Sequence, residues 1–160
     1  MSNFEIRRVR PASNISRKFT GTAKRGTALG AHATDVEAAA LAQGTNFLGF
    51  LTRDVSADGP SLESRVLPLL EQAFKSGLEV SLQKADEIEC EGTDYIQTTG
   101  GAAIGSATPV GTLLSFKDGK WQVAQTGEVA FGTLTGNSGL GGSTLPSENG
   151  GLRIRVEMLA

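Results

Sequence analysis

Glycine recurs along the whole chain and limits the folds that are available to it. It accounts for 21 of the 160 residues, nearly twice its usual share of roughly 7%, and it does not follow the Gly-X-Y period of collagen. The glycines punctuate short apolar runs at irregular intervals, which is typical of many short strands joined by turns. The sequence therefore predicts an all-β, or β-dominated, fold.

Length and composition indicate a single domain. A chain of this size buries roughly 70% of the surface that its unfolded form exposes, so one hydrophobic core is sufficient. The only cysteine, Cys90, excludes an internal disulfide. No apolar run approaches the ~18 residues of a membrane span, and the N-terminus lacks the apolar stretch of a signal peptide. We expect a protein made in a reducing cytoplasm, with no membrane partner.

Several segments have the pattern of strands. Residues 46–55 (NFLGFLTRDV) surround Gly49 with aromatic and aliphatic residues, which favours a buried core strand with a close backbone approach or a bulge. Residues 110–125 contain two apolar runs on either side of Asp118-Gly119, a strong hairpin signal. Further strands are expected at residues 78–83, 87–91, 127–135 (interrupted at Gly132) and 152–158.

Two other segments favour short helices. Thr34 and Glu37 fit a capping box and Gly44 fits the C-terminal end, although eight residues are marginal for a helix and a strand edge with a loop fits as well. Residues 68–77 have a leading proline, helical apolar spacing and a terminal glycine. The expected architecture is a compact β-sandwich or barrel-like domain with one or two short helices and glycine-rich loops at 98–108 and 136–151.

Charge is distributed unevenly along the chain. Residues 1–25 carry seven bases and one acid, whereas residues 35–94 carry twelve acids and four bases. Because residues 1–25 contain few apolar side chains to offset their ordering entropy, we expect them to form an extended basic arm on a domain spanning 26–160. The candidate protein-contact residues are Arg7, Arg8, Arg10, Arg17 and Lys18.

This basic arm has three interpretations. It is a solvated tail, a nucleic-acid contact made by neutralising phosphates, or a contact with another protein. The body offers no aromatic stacking platform on a basic face, and its acids complement the arm. We therefore favour a contact with protein and expect no nucleic-acid partner.

The candidates for chemistry are few, and we expect no catalytic residue, cofactor or metal. His32 is the only histidine and fits a solvated loop, since a relay or a metal site needs convergent partners. Cys90 lies between Glu89 and Glu91, which disfavour its thiolate, so a buried structural cysteine is expected. The glycine-rich stretches have neither a following GK[ST] nor a strand–GxGxxG–helix context.

An acidic cluster lies in the middle of the chain. It lacks the DxDxDG spacing of a calcium loop, and a strand would point alternate members to one side. The cluster is interpreted as a charged, solvated sheet face or as a surface for a basic partner. Its members are Asp86, Glu87, Glu89, Glu91 and Asp94.

Four strings together give the chain a family resemblance: NFLGFLTRDV at 46–55, SGLEVSLQKADEIECEG at 76–92, GTLLSFKDGKWQVAQTGEVAFGTL at 111–134 and RIRVEML at 153–159. The chain resembles the decoration, or cement, proteins of tailed bacteriophage capsids. That resemblance implies an oligomeric β-sandwich or barrel-like domain without catalytic residues. It also implies a location on the outer surface of the virion, where the domain bridges subunits of the major capsid protein.

The resemblance thus implies a virion protein that stabilises a capsid, and the lack of a catalytic pattern in the sequence agrees with a non-enzymatic role. Its expected partners are the major capsid protein and further copies of itself, as a homodimer or a homotrimer. The alternative is a carbohydrate-recognition or fibre-associated β-module that uses Trp121 or Tyr95 as a stacking platform. An exposed Trp121 would support this alternative, but a core tryptophan beside the 110–116 strand is the simpler expectation.

Overall fold

The computed structural model describes residues 4–9, 14–60, 72–92, 94–97, 102–137 and 153–159. Within these ranges the chain forms thirteen strands and no α-helix. The prediction of an all-β fold is therefore confirmed. Most strands belong either to a closed five-stranded barrel or to a six-stranded sheet.

Five short strands form the barrel: β2 (Ile15–Phe19), β3 (Ala28–Ala31), β4 (Ala38–Leu41), β5 (Gly49–Leu51) and β8 (Glu79–Gln83). Their order around the barrel is β2-β4-β3-β5-β8. Every neighbouring pair is antiparallel except β2 and β4, which are parallel. Two further strands, β6 (Val55–Ser56) and β7 (Phe74–Lys75), form a separate parallel pair.

The six-stranded sheet consists of β1 (Glu5–Val9), β9 (Ala85–Cys90), β10 (Leu113–Lys117), β11 (Lys120–Val123), β12 (Gly132–Asn137) and β13 (Ile154–Met158). Its order is β1-β9-β13-β12-β10-β11, and all neighbours are antiparallel. The C-terminal strand therefore lies inside the sheet. This position accounts for the complete burial of Ile154 and Val156.

The barrel and the sheet have separate cores but are closely connected. Lys84 is the only residue between β8 of the barrel and β9 of the sheet. In β5, Phe50 packs in the sheet core with Phe116 and Trp121, whereas the next residue, Leu51, packs inside the barrel. One barrel strand thus contributes to both cores, because successive side chains of a strand point to opposite faces.

The predictions at 46–55, 78–83, 87–91, 110–125 and 152–158 each contain a strand in their described part. The strand predicted at 127–135 is wrong in its first half, because β12 begins at Gly132, the residue expected to interrupt it. Asp118 and Gly119 have φ values of 50° and 78°, as the type I′ hairpin turn between β10 and β11 requires. Gly49 lies in a buried strand, and a Cβ atom there would lie 3.1 Å from Leu82 Cβ and 3.2 Å from the backbone of Gln83. The expected close backbone approach is therefore present.

The predicted helix at residues 34–44 is wrong, and the alternative of a strand with a loop is confirmed. Ala38–Leu41 form β4, which pairs with β3 on one side and with β2 on the other. Tertiary pairing overrides the capping signal because so short a helix is marginal by itself. The predicted helix at 68–77 lies partly outside the described residues, and its described end contains the short strand β7.

The described part of the basic arm is built into the body of the same chain. β1 pairs with β9, and β2 pairs with β8 and β4. Phe4 and Phe19, two of the few apolar residues of the segment, are buried in the sheet core and the barrel core respectively. These residues are therefore packed on their own chain, whereas an arm extended from the body was expected.

Candidate docking surfaces

The structure divides the predicted contact residues between the sheet and the barrel. Arg7 and Arg8 lie in β1, at the edge of the sheet, and Arg17 and Lys18 lie in β2 of the barrel. Arg10 lies outside the described residues. The four described bases are therefore divided between two different strands, β1 of the sheet and β2 of the barrel.

Arg7 belongs to an ion-pair network that we call the Glu89 cluster (Glu5, Arg7, Glu89, Arg153 and Arg155). Each oxygen of Glu89 accepts two hydrogen bonds from one arginine. Arg153 donates to Oε2 from Nε and Nη2 at 3.2 and 2.7 Å, and Arg155 donates to Oε1 at 3.1 and 2.7 Å. Arg7 Nε lies 3.7 Å from Oε1, and Glu5 lies 3.3 Å from Arg153. The cluster therefore ties β1, β9 and β13 together.

Electrostatics keep this buried carboxylate ionised. Glu89 is only 2% exposed, and burial raises the pKa of its carboxyl group. The hydrogen bonds from Arg155 and Arg153 outweigh burial, however, and hold the pKa of Glu89 below its ordinary value. Arg7 acts in the same direction through its charge. The cluster is thus a satisfied network, in which an uncharged residue at position 89 would remove the shortest ion pairs of Arg153 and Arg155.

The interpretation of the acidic cluster as a solvated face is wrong for three of its members. Glu89, Glu91 and Asp94 are buried, while Asp86 and Glu87 are partly exposed. The sequence holds a signal for this burial, because Glu-Cys-Glu at 89–91 faces Arg-Ile-Arg at 153–155 in the antiparallel pairing of β9 with β13, in which Glu89 lies opposite Arg155 and Cys90 opposite Ile154. Sequence reasoning missed it because those strands lie more than 60 residues apart.

The isolated candidates for chemistry have the predicted environments. Cys90 is fully buried, and burial raises the pKa of its thiol, as do the charges of Asp94 and Glu91. His32 is exposed in the loop between β3 and β4, where its Nδ1 atom accepts the backbone N–H groups of Thr34 and Asp35 at 3.3 and 3.2 Å. Within the described ranges of the chain, no group of His, Cys, Asp or Glu side chains has the arrangement of a metal site.

Trp121 and Tyr95 are each only 2% exposed. The expectation of a core tryptophan is confirmed, since the Trp121 and Phe116 ring centroids lie 4.1 Å apart. Neither aromatic side chain has an exposed face on which a sugar ring could stack.

The barrel carries a groove of about 470 Å³ at the end of β2, which we call the barrel groove. Its floor and walls come from the β2 end with its following turn, from β4 and from the loop before β4. Small side chains and backbone dominate this lining. The lining residues are Lys18, Phe19, Thr20, Gly21, Thr22, His32, Asp35, Ala38, Ala39, Ala40, Leu41 and Gly77.

Exposed apolar side chains accompany this groove, and we call them the barrel rim (Val36, Leu41 and Leu78). Val36 is 88% exposed and follows Asp35 of the groove, and Leu78 is 58% exposed and follows Gly77. Large apolar side chains this exposed, beside a concave surface, are typical of protein-binding sites. The barrel rim was not predicted, because an exposed valine and an exposed leucine look like core residues in the sequence.

A second group of exposed apolar side chains belongs to the sheet, and we call it the sheet rim (Val110, Leu113, Val129 and Leu159). They flank or begin the neighbouring strands β10, β12 and β13. Leu113 is 51% exposed, although Leu114, the next residue of β10, is fully buried. The barrel and the sheet therefore each carry an apolar surface.

In the described part of the chain, no helix is both long and apolar enough to cross a membrane. No protein-family model, curated protein or solved structure matches this chain.

Proposed function

We propose that this chain is a non-enzymatic structural protein that decorates a phage capsid and stabilises it by bridging subunits of the major capsid protein. The observation that carries the proposal is the presence of one exposed apolar surface on the barrel and another on the sheet. A protein with two such surfaces has the means to contact two neighbours at once. The family resemblance of the sequence supports the same function.

The way the chain is built suits a bridging role. The barrel strand β5 also packs in the sheet core, and Lys84 alone separates β8 from β9, so this connection between the barrel and the sheet is short and direct. Each contact needs only modest affinity, because attachment at several points on a repeated lattice multiplies weak affinities by 10² or more. In this proposal the protein acts on the outer surface of the virion after synthesis in the host cytoplasm.

Binding to undecorated shells tests the proposal. The shells are assembled from the major capsid protein that the same genome encodes, and bound protein is measured by co-sedimentation over a range of concentrations. Leu78→Ser removes an apolar side chain from the barrel rim, and Leu113→Ser removes one from the sheet rim. Each loses about 1 kcal/mol of burial, so we expect each to weaken binding about fivefold. Lys120→Ser, at an exposed position of the hairpin, is the control and should bind like the wild type.

Shell stability provides the second measurement. Wild-type protein should raise the temperature at which the shells disrupt in calorimetry, and the double variant Leu78→Ser/Leu113→Ser should raise it less at equal protein concentration. The proposal is wrong if the wild-type protein does not bind the shells. It is also wrong if both single variants bind as tightly as the Lys120→Ser control.

A further inference from the structure

The barrel groove exists because the pairing of β4 with β2 ends before the pairing of β4 with β3. β2 pairs with β4 only through Lys18 and Phe19, opposite Ala38 and Ala39. The chain then turns away at residues 20–22, which line the groove. β4 continues to Leu41 alongside β3. The last part of β4 therefore has a neighbour on one side only.

The hydrogen bonds of β4 show which backbone groups face the groove. Ala38 O accepts from His32 N at 3.3 Å, and Ala42 N donates to Ala28 O at 3.0 Å. Residues 38, 40 and 42 therefore point their backbone groups toward β3, because these groups alternate along a strand. Those of Leu41 point the opposite way, toward the groove. Leu41 and Leu29 therefore form a non-hydrogen-bonded pair of the β3–β4 ladder, and no turn or loop backbone group in the described ranges bonds to Leu41.

Two side-chain donors lie beside this open edge. The Lys18 ammonium lies 4.0 Å from Glu37, which is beyond hydrogen-bond distance, so its N–H groups remain available to a bound group. His32 Nδ1 accepts two backbone N–H groups, so the proton of the neutral ring is on Nε2, which is then a donor. Asp35 is the acid of the groove, and its Oδ1 already accepts the N–H of Glu37 at 2.9 Å. The groove therefore favours a ligand that brings hydrogen-bond acceptors.

We propose that the barrel groove binds an extended segment of a partner protein, which pairs with the Leu41 backbone and brings one apolar side chain and one carboxylate. The segment continues the position of β2 beside β4, as in strand addition to an open sheet edge. Its apolar side chain packs on Phe19 and the alanines of β4, and its carboxylate pairs with Lys18. The inference rests on the proposed function only in treating the barrel end as a docking surface.

Peptide binding to the full-length protein tests the inference without any capsid. The probe is the acetylated and amidated hexapeptide Thr-Val-Leu-Asp-Val-Thr, and its control has Asn in place of Asp. Amide shifts of ¹⁵N-labelled protein are followed up to about 10 mM peptide, which covers a Kd near 1 mM. We expect saturable shifts centred on Leu41, Thr22 and Gly77, with the Leu41 amide moving downfield as it gains an acceptor.

Two neighbouring charge variants make the test specific. Lys18→Gln should weaken binding of the Asp peptide by up to about fivefold, the upper range for an exposed ion pair, and should leave the Asn peptide unchanged. Arg17→Gln is the matched control, since Arg17 precedes Lys18 in β2, does not line the groove and donates to Ser16 O. It should bind both peptides like the wild type. The amide spectra of both variants show whether the fold is retained.

The inference is overturned if the Leu41 amide shows no saturable shift, or if Arg17→Gln weakens binding as much as Lys18→Gln. These failures are distinct from failure of the proposed function. If Leu41 does not respond while Leu78→Ser still weakens binding to shells, the peptide groove is wrong and capsid decoration stands. If the peptide binds at Leu41 while the shells do not bind the protein, the groove stands and capsid decoration is wrong.

Discussion

Replacing Glu89 with glutamine should destabilise the protein by about 3 kcal/mol. The change keeps the size of the side chain and removes only its charge, so the cost comes from the Glu89 cluster. Two arginines donate four hydrogen bonds to this carboxylate at 2.7–3.2 Å. A glutamine amide offers one acceptor oxygen, and its NH₂ group would face the guanidinium of the other arginine.

The magnitude follows from burial. Removing one partner of a buried ion pair costs about 3–5 kcal/mol. The side chain of Glu89 is 3% exposed, but those of Arg153 and Arg155 are 15% and 35% exposed, so water partly hydrates the arginines that lose their partner. We therefore expect the lower end of the range.

Urea denaturation followed by circular dichroism measures this loss of unfolding free energy. The dependence of that free energy on urea concentration should be the same in both proteins, which shows that the unfolding transition is unchanged. Glu87→Gln is the matched control, because Glu87 lies two residues earlier in β9, is 24% exposed and lies 3.7 Å from Arg155. It should cost no more than about 1 kcal/mol. The reasoning is refuted if Glu89→Gln costs no more than Glu87→Gln.

Three further predictions follow from the same structure. The arginines hold the pKa of Glu89 low, so the stabilising contribution of its carboxylate should be complete at neutral pH. That contribution should disappear as the pH falls below about 4.3 and through the lowered pKa. Urea titrations should therefore show the unfolding free energies of the wild type and Glu89→Gln converging in acid, and a constant difference between them would contradict this. Gly49→Ala should destabilise by about 1–3 kcal/mol because the added Cβ meets backbone, whereas Gly105→Ala, with open space around it, should change the unfolding free energy by less than about 0.5 kcal/mol. The buried Cys90 thiol should react with a thiol reagent only after denaturant is added, and rapid reaction of the native protein would show that the strand β9 opens.

Local signals predicted the parts of the fold that depend on neighbouring residues. Asp118-Gly119 defines a hairpin because both residues adopt the positive φ of its turn. Gly49 marks a close approach because a Cβ atom there would lie only 3.1–3.2 Å from Leu82 Cβ and the Gln83 backbone. In each case the residue type at the position carries the signal, although the atoms that crowd Gly49 belong to Leu82 and Gln83 of β8.

The Glu89 cluster could not be predicted from local patterns, because it depends on the pairing of strands that are distant in sequence. The arginines at 153 and 155 decide whether Glu89 is buried, and nothing near Glu89 in the chain indicates that pairing. The basic segment 1–25 looked like an arm for a partner because no acid near it in the sequence balances its charge. The acid that Arg7 contacts is Glu89, in the distant strand β9 of the same chain. Charge segregation along a sequence is therefore compatible with pairing within one molecule.

The direct passage from β8 to β9 gives the chain a mechanical property. With only Lys84 between the strands and with β5 packed in both cores, this described connection offers no hinge about which the barrel and the sheet could rotate. Tension applied across them acts along a continuous extended backbone rather than on a loop that lengthens. The molecule should therefore behave as a stiff strut, which yields only when its strands separate.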